Sequence, residues 1–205
     1  SEHHEKFEEL ALKRFDRQDI DLPVHDEKRM FTPLRVEQGY ALSEDEGTEG
    51  KTHIVVGWLL EHSFDLQKNM EAQLLAAVLL ENSASPLMRA LENTDLGHAP
   101  SPMCGVEDSN REMTFVCGIE GSEPGRGEDL EKLLEETLAK VASEGVSQER
   151  LEAILHQLEL HQREIAGDQF PYGLQLIMQA ISPMVHGGDP VALLDLEPVL
   201  ADLRE

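Results

Sequence analysis

Nine histidines stand in a chain of 205 residues that also carries 41 aspartates and glutamates. That donor set invites a metal reading, and spacing decides whether it holds. The nearest approach to a metal motif is His156-Gln-Leu-Glu159-Leu160. An inverted zincin needs His-x-x-Glu-His on one helix, because imidazoles at i and i+4 converge on one zinc while the carboxylate between them serves as general base. Leu160 fills the second ligand position. The next imidazole, His161, comes five residues after His156, about 140° around a helix that turns about 100° per residue. The two point apart and read as helical surface histidines. His53 and His62 bracket an apolar run, and a strand rising about 3.3 Å per residue would hold them about 30 Å apart. His3 and His4 open the chain, where loose binding of metal from solution is the most they imply. His98 and His186 sit among glycines and prolines, so solvated loop positions are expected, and only tertiary contact could bring them together.

Cys104 and Cys117 flank the turn-forming cluster Asp108-Ser109-Asn110-Arg111. If the turn centres on Asn110-Arg111, the two cysteines face each other across a hairpin, a register that a one-residue slip destroys. No third and fourth ligand follows at zinc-site spacing, so two reduced, half-buried thiols are expected ahead of a bridge or a metal pair. Neither a Gly-x-Ser-x-Gly nucleophile elbow nor a phosphate loop occurs. Gly118-Ile-Glu-Gly121, followed by Gly125 and Gly127, has the look of a phosphate cradle, but Glu120, Glu123 and Glu128 would repel the anion. It reads as a loop between strand and helix. Glu128, Asp129, Glu131, Glu135 and Glu136 crowd one helix start, where carboxylates favour the positive end of the helix dipole. The sharper reading is an acidic wall facing a basic peptide. No carboxylate pair lies in an apolar setting that would raise a pKa, so no acid–base site is assigned.

These residues need elements to hold them. Phe7, Leu10, Ala11, Arg14 and Phe15 repeat at helical spacing over residues 1–18, and an extended connector follows from Asp19 to Met30. Phe31 to Leu42 alternates roughly and reads as an edge strand. An acidic loop then leads to Thr52–Glu61, the strongest strand pattern in the chain, so a hairpin between the two is expected. Asp65 caps a helix to about Glu81, and Pro86 opens a shorter one to about Asn93. Met103–Asp108 and Glu112–Glu120 form a second hairpin. Helices follow from Glu128 to Glu144, from Ser147 to about Gly167 and from Pro171 to about Val185, with short helical pieces at 191–194 and 198–204. Hairpins with helices between and after them, rather than one helix per strand, predict an α+β fold. Its sheet is mainly antiparallel, with the helices packed on one face. The core is expected to set Ile54, Val56, Trp58 and Leu60, or the alternate face of that strand, against Leu74, Val78, Leu133, Leu151, Leu155 and Ile177.

Charge and composition narrow the partners. Seventeen basic residues against 41 acidic ones give a net charge of -24, and 40% of residues are hydrophobic. That is enough apolar content for a packed core, while the acidity argues against nucleic acid and anionic membranes. The apolar runs 54–60 and 74–80 stop well short of the roughly 18 residues of a membrane span. The opening residues, Ser1-Glu2-His3-His4-Glu5-Lys6, lack the apolar stretch of a signal peptide. Two cysteines favour a reducing compartment or thiols that are simply buried, and a soluble, cytoplasmic chain is the expectation.

Several segments carry a resemblance. Leu75-Ala-Ala-Val-Leu-Leu-Glu-Asn-Ser-Ala-Ser-Pro-Leu-Met-Arg-Ala-Leu91, Asn93-Thr-Asp-Leu-Gly97, Arg111-Glu-Met-Thr-Phe-Val-Cys-Gly-Ile-Glu-Gly121, Glu149-Arg-Leu-Glu-Ala-Ile-Leu-His156 and Gly187-Gly-Asp-Pro-Val-Ala-Leu-Leu194 resemble the presequence-protease branch of the pitrilysin/insulinase zinc metallopeptidases. The resemblance implies a clamshell parent of four α/β domains closing round a chamber where unfolded peptides are cut. The chain is most similar to the second, non-catalytic domain of the first half. On that reading residues 1–50 bring the N-terminal helix, connector and edge strand from the preceding domain, and 51–205 form the domain proper. The implied zinc belongs to the parent enzyme, so no catalytic, cofactor-binding or metal residue is carried over to this chain. The implied partners are the other domains of the parent and peptide substrates, basic ones included. The alternative is a catalytically inactive core or binding subunit of the same fold.

Overall fold

The computed structural model describes residues 2–16, 23–163 and 171–204, apart from the side chains of residues 161–163 and 193. The sheet is organised by β4 (Glu112–Ser122). On one side it pairs antiparallel with β1 (Thr52–His62), in a register that sets Ile54 opposite Ile119, Val56 opposite Cys117 and Trp58 opposite Phe115. On its other side lie two short strands, β2 (Ala99–Pro100) and β3 (Gly105–Glu107). β3 and β4 make the hairpin expected around residues 108–111.

The period-2 pattern of β1 settles which face is inside. Ile54, Val56, Trp58 and Leu60 pack on the core, whereas His53, Val55, Gly57, Leu59 and Glu61 are exposed. Across the ladder Phe115, Cys117 and Ile119 continue the apolar face, and the Trp58 and Phe115 rings meet at 5.8 Å. Three helices cover it: α2 (Leu66–Leu80), α3 (Pro86–Asn93) and α4 (Gly127–Glu144). They contribute Ala76, Leu79, Leu80, Leu87, Leu91, Leu130 and Leu134 to one cluster. Each fully buried leucine contributes roughly 1.5–3 kcal/mol. The expected α+β architecture, an antiparallel sheet with helices on one face, is the one observed.

Helix ends follow local chemistry. Asp65 Oδ1 accepts from the Lys68 amide at 3.1 Å and starts α2, and Pro86 occupies the first turn of α3. Arg150, from α5 (Gln148–Arg163), donates to Val78 O at 3.2 Å, Ala84 O at 3.2 Å and Ser85 Oγ at 2.7 Å. Its cation thus sits on a carbonyl in the last turn of α2, where the helix dipole favours positive charge. α5 buries Ile154 and Leu155. Helix α6 (Tyr172–His186) and the short α7 (Glu197–Asp202), which buries Leu200, complete the chain, with a 3-10 turn at Ala192–Leu194 between them. At the N-terminus α1 (Glu2–Leu10) and a 3-10 turn (Leu12–Arg14) bury no side chain. Residues 17–18 and 164–167 of the expected helices lie outside the described residues, as do 19–22 of the connector.

Several expectations are corrected. Residues 31–42 form no strand, and Leu34 and Val36 stay exposed. Pro33 removes a ladder donor from the segment, whereas β4 offers β1 a longer matching apolar row of Met113, Phe115, Cys117 and Ile119. The long-range pair therefore replaces the local hairpin. Ile177 does not join the core: it is 61% exposed on α6, whose Met178, Met184 and Val185 also face outward. Its apolar period is real, but no described element covers that face.

Candidate functional site

Gly118 and Gly121 lie inside β4, not in a loop between strand and helix. A Cβ on Gly118 would be driven into the Ile54 carbonyl and to 2.7 Å from Val55 Cγ1, so its absence lets β1 close on β4. Gly121 has φ +71°, and a Cβ there would meet the His98 ring at 2.7 Å. These glycines serve strand packing rather than a phosphate.

The histidines are dispersed. His53 is edge-on to Tyr40 at 5.8 Å and lies 4.0 Å from Glu120. His98 lies beside Gly50 and Gly121 at one end of β4. His186 is at the other end and closes α6 rather than standing in a loop, its backbone carbonyl accepting from Arg111 at 2.9 Å. Tertiary structure thus keeps these last two apart. His3 and His4 lie on α1 and are exposed. His156 is exposed on α5 and lines a cleft of about 520 Å³ with Leu74, Leu151, Leu155 and Arg204, while Leu160 points outward. The His161 side chain lies outside the described residues. Among the described residues no three of His, Cys, Asp and Glu come close enough to hold one metal. The described residues thus offer no tetrahedral zinc set, and no chemical step is routed through zinc here.

Four ionic contacts were not legible from local pattern, because each joins residues more than thirty apart in sequence. Asp26 Oδ1 lies 2.7 Å from Arg111 Nε and 3.0 Å from His62 Nε2. The Arg111 guanidinium, and then His62, hold the Asp26 carboxyl below its ordinary pKa. Arg111 also lies over the Phe64 ring at 5.1 Å, and His62 stacks on the same ring at 4.8 Å. Arg29 meets the buried Glu112 at 2.6 Å. Arg35 grips Glu131 through two bonds of 3.0 and 2.6 Å, which lowers the Glu131 pKa and raises that of Arg35. Together they fasten the connector to the domain. The sequence signal for them was only that Asp26, Arg29 and Arg35 are charged.

The acidic cluster therefore divides. Glu131 is paired with Arg35, whereas Glu128, Asp129 and Glu135 are exposed on α4, as is Glu136, which lies 3.9 Å from Lys132. Cys104 and Cys117 are both free thiols, the first half-buried and the second fully buried. Their hairpin register is the one centred on Asn110-Arg111. Among the described residues no helix is long and apolar enough to cross a membrane.

Known proteins are similar to this chain in sequence or in fold. Presequence protease of Xenopus tropicalis, a mitochondrial protein by name, is 29% identical over 99% of this chain and 20% of its own length. Presequence protease 1 of Arabidopsis thaliana, named as chloroplastic and mitochondrial, is 32% identical over 80% of this chain and 15% of its own. The chain thus spans about a fifth of the curated relatives it matches, and their names give no support to a cytoplasmic location. The solved inactive peptidase domain of a protein assigned as a zinc protease in Bordetella parapertussis has the same fold. Its TM-score is 0.54 at 19% identity, over 73% of this chain and 78% of that one. The model of the peptidase M16 inactive domain matches residues 2–158, and the chain belongs to that family.

Proposed function

We propose that this chain is a non-catalytic wall domain of a zinc endopeptidase that degrades short unfolded peptides, with residues 1–50 entering from the preceding domain and 51–205 forming the domain proper. The observation that carries this reading is the alignment of nearly the whole chain with a fifth of presequence protease, within a family described as inactive. Zinc and the cutting residues then reside in other domains, which are this chain's immediate partners. Exposed apolar side chains suit such neighbours: Ile177, Met178 and Met184 on α6, and Val55 and Leu59 on the outer sheet face.

The test is a fluorogenic peptide assay with added zinc. The chain alone is expected to give no turnover above a blank, and the full parent to give turnover that a chelator abolishes. Chelator-sensitive cleavage by the chain alone overturns the non-catalytic assignment. A full parent without zinc-dependent cleavage identifies an inactive core or binding subunit instead.

A further inference from the structure

The β3–β4 register pairs Gly105 with Val116 and Glu107 with Thr114. Extended by one residue beyond β3, the same register sets Cys104 opposite Cys117. Positions directly opposed in an antiparallel pair have Cα atoms about 4.5–5.5 Å apart, within the roughly 4.4–6.8 Å that a disulfide spans. The side chains are turned toward the same place. The Gly118 amide donates to Cys104 Sγ at 3.3 Å, and that sulfur lies 3.5 Å from Gly118 O, so it rests on the residue next to Cys117. Access is asymmetric: Cys104 follows a surface turn beside the exposed Met103, while Cys117 is fully buried in the core.

We propose that Cys104 and Cys117 form a redox-active dithiol, a modification site at which glutathione disulfide is reduced and the pair closes into a disulfide across the hairpin. Cys104 is the attacking sulfur and Cys117 the resolving one. The Cys117 thiol beside it, then the Gly118 and Ser101 backbone, pull the Cys104 pKa below that of an ordinary thiol, which favours its thiolate. Cys117 is pushed up by Cys104 and by burial, which keeps it protonated while Cys104 is free.

The Cys104 thiolate attacks one sulfur of glutathione disulfide; the oxidant's S–S bond breaks and one glutathione thiolate leaves. The sulfur of the mixed disulfide on Cys104 bears no charge, so the part of the Cys117 shift that came from the Cys104 thiolate disappears and only burial still opposes ionisation. Cys117 gives its proton to solvent and attacks Cys104 Sγ, expelling the second glutathione. Two protein thiols are oxidised and one glutathione disulfide is reduced to two glutathiones. The product joins β3 to the middle of β4.

The test treats the folded 205-residue chain with glutathione disulfide, then denatures it, blocks free thiols with iodoacetamide and digests with trypsin, which cuts at Arg111 between the cysteines. The expected product is one linked pair of peptides, one holding Cys104 and the other Cys117, in monomeric protein. It reverts on reduction and carries a higher thermal midpoint. Cys117→Ala is expected to stop at a glutathione adduct on Cys104, and Cys104→Ser to take no adduct while folded. Circular dichroism checks that both variants fold, and the linked peptides from the unaltered chain decide the matter if either does not. Two thiols still open to iodoacetamide after oxidation, or Cys104 linked only between molecules, overturns the proposal.

Discussion

A single atom decides the meaning of Gly118. Because β1 approaches until the Ile54 carbonyl fills the space of a Cβ, Gly118→Val cannot be absorbed by a side-chain rotation and must push the strands apart. A loss of roughly 1–3 kcal/mol is expected from overpacking, read as a lower urea midpoint; an unchanged midpoint would mean that the strands are free to separate there. Asp26 gives a pH prediction of definite sign. Its folded pKa lies below the unfolded value, so the stabilisation from Arg111 and His62 is present above the ordinary carboxylate range near 3.9 and is lost as pH falls through the depressed value. Asp26→Asn should flatten the acid limb of the stability profile and leave the slope above about pH 5 alone. Because Asp26 is at the surface, the effect is small. A variant with the same acid limb as the unaltered chain would show that the contact does not persist in solution.

At the scale of elements, residues that looked alike in sequence separate by neighbourhood. Leu155 and Ile177 both fall on apolar helical stripes, and both belong in the core on periodicity alone. Leu155 is 7% exposed where α5 packs on α2, and Ile177 is 61% exposed. Leu155→Ala is expected to cost about 2–5 kcal/mol, whereas Ile177→Ala should stay within about 0.5 kcal/mol in this chain. Denaturant midpoints check both, and equal losses would place α6 against a partner within the chain. Caps and periods were legible because they are local: Asp65, Pro86 and the 108–111 turn each act within a few residues. The partner of β1 was not, since alternation identifies a strand but not its neighbour. The choice of β4 over residues 31–42 depends on a row of apolar residues some sixty positions away. The connector's ion pairs escaped for the same reason.

For the molecule as a whole, the family segments were readable because they are runs of specific residues, while the distribution of charge on the surface was not. The net charge of -24 is compatible with simple solubility or with attraction of basic peptides, and the fold sharpens the difference. Glu131 belongs to Arg35, so altering it would loosen the connector and confuse the result. Glu128, Asp129, Glu135 and Glu136 are exposed and can be neutralised without breaking a contact made by Glu131. If α4 faces the peptide chamber of a parent protease, their field reaches a substrate over a Debye length of about 8 Å at physiological salt. Changing the four to their amides in the full-length enzyme should then raise the KM for a basic peptide several-fold at low salt, with kcat little altered. The difference should shrink as salt is added, and a neutral peptide should show none. The same change in KM for both peptides, or no change at any ionic strength, would assign these carboxylates to solubility and to the dipole of α4.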